Sequence, residues 1–172
     1  MRYLLALFAL MCLRCTKESD SFYWGIVTCK INGVEWSGVI RSGWNPHRSR
    51  ALDIIIDKYN DEGFLRQDFY LFALEPVTGR QNIYRYEFTD DAIHSPSARY
   101  FTATDDGDVG CDVYNVAGAD SLTNFVNFTE IKTIPRIVAG HFNLRFIIDQ
   151  LPKCDPHAPD TLWTAGSFVT RY

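Results

Sequence analysis

The sequence predicts an all-β domain, an antiparallel β-sandwich of about nine or ten strands, with a barrel as the alternative. Short segments rich in aromatic and β-branched residues recur at roughly regular spacing, and Gly, Pro, Asn and Asp turn signals separate them. Such spacing is typical of sandwiches and barrels. Aromatic residues make up 15% of the chain, which favours strands because flat rings pack well on a pleated surface.

The strongest local signals mark a hairpin and one long strand. Asn32-Gly33 lies between two apolar runs, and this dipeptide is the one most typical of a two-residue hairpin turn. Residues 34–40 should then form the second strand of the hairpin. Residues 41–50 are expected to be a polar loop, because Gly, Asn and Pro interrupt them. Between residues 141 and 148, polar and apolar residues alternate, which predicts a strand with one buried face.

The N-terminus predicts a signal peptide. Arg2 supplies a short positive start, and an apolar run from Tyr3 to Leu13 follows it. At about 1.5 Å per residue this run covers only about half of a 30 Å hydrocarbon core, so it fits a cleaved signal better than a membrane-spanning helix. We therefore expect a signal peptide over 1–14, a lipidated cysteine with a short tether over 15–21, and one β domain over 22–172.

Cys15 is the predicted lipidation site. An apolar run that ends in Cys and is followed at once by small polar and charged residues resembles a bacterial lipobox. Residues 16–20 are similar to the acidic tether that directs lipoproteins of Bacteroidota to the cell surface. Arg14 departs from the lipobox pattern, which has a small residue there, and leaves Cys12 or plain secretion as alternatives. A lipid with two or more acyl chains anchors stably, so the expected location is the outer membrane, exposed at the surface or facing the periplasm.

The charge of the chain excludes one class of partner. The formal net charge is -4, and the charged residues of the leader, Arg2 and Arg14, are both basic, so the domain itself is more acidic still. No run of basic residues occurs. Such a chain is poorly suited to a phosphate backbone, so nucleic acid is not an expected partner. The expected partners are a membrane, which the chain reaches through its lipid, and a glycan or a protein.

Three cysteines follow the leader: Cys29, Cys111 and Cys154. In an oxidising compartment one pair could form a disulfide and leave a free thiol. The interpretation favoured here is three small buried side chains. No two of them lie within four residues of each other, so their spacing matches no zinc pattern.

No motif predicts a catalytic residue or a cofactor. The chain contains neither the Gly-x-Ser-x-Gly motif nor the His-Glu-x-x-His motif. Each of its four histidines stands apart from the others in the sequence: His47, His94, His141 and His157. Catalysis by any of them therefore has no support from spacing.

The densest acidic cluster is a weak candidate for a metal site. It contains Asp105, Asp106 and Asp108, with Asp112 beyond. Calcium binds several oxygens from one flexible loop, but the closing Glu of an EF-hand is missing. We expect a hairpin turn with solvated acids, where Asp and Gly are favoured for conformational reasons, and no metal.

Trp44 is the predicted ligand contact. It lies in the loop predicted over 41–50, whereas Trp24, Trp36 and Trp163 lie in predicted strands and are expected in the core. Sugar rings stack on exposed aromatic faces, and acidic side chains accept hydrogen bonds from sugar hydroxyls. An exposed tryptophan therefore favours a glycan among the expected partners.

Several strand segments together resemble a family of Bacteroidota lipoprotein domains of unknown function. The opening segment ends in Asn-Gly-x-x-Trp at 32–36, a Gly-x-Phe strand follows at 140–142, and the chain closes on Gly-x-Phe-x-x-x-Tyr at 166–172. The resemblance covers most of the chain after residue 20. It implies a fold and an anchor but no functional residues, because the family has no assigned activity.

These patterns predict a lipid-anchored cell-envelope protein whose β domain binds a partner or serves structurally. One alternative is a secreted hydrolase that uses loop carboxylates and histidines, and a cleft that joins His47, His94 or His157 with residues 105–112 would favour it. Another is a lipocalin-like carrier, which an empty apolar cavity would favour. An exposed flat patch around Trp44 would favour a binding module.

Overall fold

The computed structural model describes residues 24–87, 95–107, 109–118, 122–149 and 153–172. The predicted leader and tether, including Cys15, lie outside the described residues, as do His94 and Asp108. Within the described ranges the chain forms twelve strands and no helix, which confirms the all-β class. It follows that no described helix has the length and apolar character needed to cross a membrane.

The strands are, in chain order, β1 Gly25–Ile31, β2 Val34–Trp36, β3 Val39–Trp44, β4 Leu52–Tyr59, β5 Leu65–Leu74, β6 Gly79–Asn82, β7 Tyr84–Arg85, β8 Ser97–Ala103, β9 Gly110–Val116, β10 Phe125–Thr133, β11 Arg136–Ile148 and β12 Thr161–Arg171. Neighbouring strands pair antiparallel, except that β7 pairs parallel with β8. The structure therefore has somewhat more strands than the nine or ten predicted. Three of the twelve, β2, β6 and β7, are short, with 3, 4 and 2 residues.

The sheet folds over into two packed layers. One layer contains β3, β4, β5, β8 and β9, with the short β7 paired to β8, and the other contains β2, β1, β12, β11, β10 and β6. β9 joins the two layers by pairing with Phe146 to Ile148 at the end of β11. The hydrogen-bonded order ends at β2 and β3 and does not close, so the chain is sandwich-like, as the sequence favours.

Aromatic side chains fill the space between the layers. Phe69 of β5 packs edge-to-face on Phe142 and Phe146 of β11, with ring centroids 5.1 and 5.6 Å apart. Tyr100 of β8 contacts Phe146 from the same side. All four residues are almost fully buried. Packed side chains therefore occupy the interior, and the open space of the fold lies at one end of it.

The hairpin between β1 and β2 has the predicted turn. Asn32 and Gly33 have φ angles of 51° and 81°, the left-handed conformations that a type I′ turn requires. Ile31 pairs with Val34 directly across the turn. A two-residue signal between apolar runs was therefore sufficient to fix this element and its register.

The prediction of one strand over residues 34–40 is wrong, because the chain crosses here from one layer to the other. The crossing occurs at Gly38, where an added Cβ would lie 2.6 Å from the carbonyl oxygen of Asp57. Only glycine permits so close an approach of two backbones. The loop predicted over 41–50 also begins too early, since β3 pairs with β4 in unbroken register from Val39 to Trp44.

Candidate functional site

A cleft of about 820 Å³ opens at one end of the sandwich. Its walls come from the β1–β2 hairpin, the adjoining ends of β4 and β5, the β8–β9 hairpin and the loop over residues 153–160. Both layers therefore contribute to it. A concave site between elements of a fold is where ligands most often bind.

Aromatic side chains with hydrogen-bonded polar tips form the base of the cleft. Trp36 is only 7% exposed, and its indole Nε1 donates a hydrogen bond to Oε1 of Gln67. The hydroxyl of Tyr114 donates to the carbonyl oxygen of Pro159 at 3.0 Å. Leu162 and Tyr100, both buried, complete this surface. The base is consequently apolar, and its polar atoms are held in fixed directions.

A disulfide fastens one lip of the cleft. Cys111 of β9 is bonded to Cys154 of the 153–160 loop, with Cα atoms 5.3 Å apart. Beside it, the buried carboxylate of Asp112 accepts hydrogen bonds from the backbone N–H of Cys154 at 2.8 Å and of Asp155 at 3.1 Å. The expectation of three buried thiols is therefore wrong for Cys111 and Cys154, which the fold brings together across 43 residues.

Cys29 remains the one free thiol among the described residues, and it is buried as expected. Its burial raises the pKa of the thiol to about 12. Because the thiolate is the nucleophile and the metal ligand, this cysteine is chemically inert at neutral pH. It serves as a small apolar side chain of the core.

Two cations border the cleft, and one of them is already engaged. Arg66 donates to the carbonyl oxygen of Thr104 at 2.7 Å and forms an ion pair of 2.7 Å with Asp105. Lys58, on the neighbouring strand, is half-buried. It forms no ion pair with any described residue. Lys58 is therefore the cation that a ligand can recruit.

The predicted acidic turn lies at the rim of the cleft. Asp105 pairs with Arg66, and Asp106 accepts a hydrogen bond from Oγ1 of Thr104 at 2.5 Å. Gly107 has a φ of 76°, so the turn chemistry of this segment is as expected. Among the described residues, no three His, Cys, Asp or Glu side chains are placed to hold a metal ion.

Trp44 lies away from the cleft. It ends β3, is 49% exposed, and packs edge-to-face on Tyr172 with ring centroids 5.3 Å apart. Trp36 is buried as expected, and Trp24 is half-buried. The expectation for Trp163 is wrong: this ring is 50% exposed, because its position in β12 points outward from the sheet.

The structure keeps the described histidines out of the cleft lining. His141 projects from the outward face of β11, and His47 lies in the loop after β3. The backbone N–H of His157 donates to the side chain of Asp155 at 2.8 Å. These three histidines therefore do not form, with the aspartates of the cleft, the cluster that would favour a hydrolase.

A buried carboxyl pair lies on the outward face of β4 and β5. Asp57 and Asp68 stand directly opposite each other in the register, and each is 2% exposed. Arg41 and the Tyr59 hydroxyl donate to Oδ2 of Asp57 at 3.4 and 3.3 Å. Burial, and secondly the charge of Asp57, raises the pKa of Asp68 to about 8. At neutral pH the Asp68 carboxyl is therefore largely protonated.

Sequence patterns did not reveal the cleft. Trp36, Lys58 and Gln67 come from three strands, and no local spacing links them. The only available signal was Trp36, which closes the segment that begins with the Asn-Gly turn. A scan of the chain against protein-family models finds no match, and neither a search of curated proteins nor one of solved structures finds a similar protein.

Proposed function

We propose that the protein is a lipid-anchored binding module of the cell envelope that holds a small amphipathic anion in the end cleft. The observation that carries the proposal is an apolar base around Trp36 with the half-buried Lys58 at its border. An apolar body would pack against Trp36 and Leu162, and a carboxylate, sulfonate or phosphate would pair with Lys58. Ligand sites commonly combine an apolar lining with a few polar groups that fix orientation.

Three observations support the envelope location. The leader over 1–14 and Cys15 follow the pattern of a lipoprotein signal. The disulfide between Cys111 and Cys154 fits an oxidising compartment such as the periplasm or the cell surface. The resemblance to Bacteroidota lipoprotein domains points to the outer membrane.

The state of the acidic groups favours binding over hydrolysis. Both carboxylate oxygens of Asp112 accept backbone N–H groups, and Asp105 is paired with Arg66. An activated nucleophile needs a base within hydrogen-bonding reach and a third group to orient that base. The described cleft residues supply carboxylates that already have structural partners, so a role in positioning a ligand is the simpler one.

A titration with the fluorescent probe 8-anilinonaphthalene-1-sulfonate tests this proposal, because the probe joins an apolar ring system to one sulfonate. Lys58→Gln should weaken binding about tenfold, the loss of roughly 1.4 kcal/mol expected for one partly buried charge pair. Ala158→Trp should abolish binding by filling the cleft, which Ala158 lines. The control is Lys132→Gln, which removes an exposed lysine of β10.

Near-ultraviolet circular dichroism of each variant checks that its tertiary packing is intact. Variants that pass this check exclude dye binding by partly unfolded protein. Equal affinities for the Lys58→Gln and Lys132→Gln variants would contradict the role of Lys58. Full binding by the Ala158→Trp variant would place the probe elsewhere and overturn the proposal for the cleft.

A further inference from the structure

The outward face of the second layer carries a continuous row of polar side chains. Thr28, Ser167, His141 and Asn127 lie side by side on β1, β12, β11 and β10. The Thr28 and Ser167 hydroxyls are 3.0 Å apart, and the Asn127 amide nitrogen is 3.4 Å from Nε2 of His141. With strands about 4.8 Å apart, the row extends for roughly 14 Å. It presents hydrogen-bond donors and acceptors in a line across the strands.

Two aromatic rings, Trp163 and Phe125, stand on the same side of this row, near the starts of β12 and β10, and each is stacked against an arginine. The guanidinium of Arg145 lies 5.2 Å from the ring centre of Trp163, which is 50% exposed. The guanidinium of Arg80 lies 3.8 Å from the ring centre of the half-buried Phe125. Phe125 also meets His141 edge-on, with ring centroids 6.0 Å apart. Such cation–π contacts attract the guanidinium to the ring face and stabilise this arrangement.

The face carries an excess of cationic side chains. Beside the polar row, Ala165 lies on one side, and Ala139, Val169 and Ile26 lie on the other. The guanidinium groups of Arg145 and Arg171 form no ion pair with a described residue, and Arg171 lies 4.3 Å above the ring of Trp24. Cations gathered on one face of a chain whose formal net charge is -4 complement an anionic partner.

We propose that this face, formed by β1, β12, β11 and β10, binds an acidic polysaccharide. Sugar hydroxyls would form hydrogen bonds with the row of Thr28, Ser167, His141 and Asn127. The apolar faces of pyranose rings would pack against Trp163 and Phe125. The acid groups match the guanidinium groups. This surface is separate from the end cleft, and its ligand is an extended polymer rather than a small molecule.

The order of residues on the face distinguishes a glycan from a protein partner. Protein interfaces place aromatic anchors in a dry centre and polar groups at the rim. Here the polar row lies in the middle, with the two aromatic rings on one side of it and the exposed Ile26 and Val169 on the other. Docking of a protein would therefore bury hydroxyl and amide groups at the point where water is excluded. A polyhydroxylated chain satisfies those groups directly.

Affinity electrophoresis through gels that contain polygalacturonate, alginate or chondroitin sulfate tests the proposal, with dextran as the neutral comparison. At least one acidic polymer should retard the protein, and added salt should weaken the retardation. Trp163→Ala and Arg145→Gln should each raise the dissociation constant about tenfold. Trp44→Ala is the matched control, because Trp44 is 49% exposed but lies on another edge of the fold.

Trp163 and Arg145 are exposed, so their replacement should leave the fold intact, and thermal unfolding of each variant checks this. Retardation that Trp163→Ala weakens and Trp44→Ala does not would support the proposal. It would be overturned if none of the three acidic polymers retarded the protein, or if the two tryptophan variants lost affinity equally. Binding to anionic lipid vesicles without binding to any of the polymers would also overturn it.

Discussion

Replacing Cys111 and Cys154 together by alanine should lower the free energy of unfolding by about 4 kcal/mol. The bridge joins residues 43 positions apart, and closing so long a loop removes much conformational entropy from the unfolded chain. Urea unfolding of the oxidised wild type and of the double variant, followed by tryptophan fluorescence, measures the difference.

Reduction gives the control for the disulfide prediction. The wild type in dithiothreitol should unfold at the same urea concentration as the double variant, while the double variant should not respond to dithiothreitol. Cys29→Ala removes the buried free thiol and should leave the response to dithiothreitol unchanged. A wild type whose unfolding is the same in oxidising and reducing conditions would show that the bridge does not form in solution.

Asp68→Asn should stabilise the protein at alkaline pH much more than at acid pH. Burial and the charge of Asp57 raise the pKa of Asp68 to about 8 in the folded state, against 3.8 for an unperturbed aspartate. At a pH between these two pKa values, the unfolded chain has released the Asp68 proton and the folded chain keeps it. The wild type should therefore lose stability as pH rises through this window, by up to about 1.4 kcal/mol per pH unit from this group.

Urea unfolding at pH 5, 6, 7 and 8 measures this effect as the growing difference between Asp68→Asn and the wild type. Asp61→Asn is the matched control, because Asp61 is exposed in the turn between β4 and β5, and it should leave the slope of stability against pH unchanged. A difference between the Asp68→Asn variant and the wild type that stays constant from pH 5 to 8 would contradict a proton held at the buried pair.

Local chemistry determined the elements that the sequence predicted well. The turn at Asn32-Gly33 needs two residues in left-handed conformations, and these residues adopt them readily. The alternation after His141 follows from one face of β11 packing on the core while the other meets solvent. In both cases the cause lies within a few residues of the pattern, so a sequence is sufficient to show it.

Contacts between distant segments determined what the sequence did not predict. A glycine is needed at position 38 because the backbone of Asp57 passes next to it. No local sequence pattern around either residue predicts this contact. Cys111 and Cys154 meet because Asp112 holds the 153–160 loop against β9. These contacts depend on the tertiary arrangement of the sheet, which overrides local preference.

The candidate sites likewise depend on contacts between distant segments, which local sequence patterns do not predict. Trp44 follows glycine in a segment with loop character, yet it ends a paired strand. Trp163 has the pattern of a core residue, and only the register between β12 and β11 shows that it faces outward beside Arg145. The cleft around Trp36 and Lys58 assembles from strands of both layers. A residue type can suggest a ligand contact, but the sheet decides which contacts share a surface.

The intact mass and membrane partition of the full chain, expressed in a Gram-negative host beside the Cys15→Ala variant, test the envelope location directly. The wild type should lose residues 1–14, gain the mass of acyl chains and sediment with the outer membrane. The variant should carry no acyl chain and leave the membrane fraction. An unprocessed wild type in the soluble cytoplasmic fraction would contradict the envelope location.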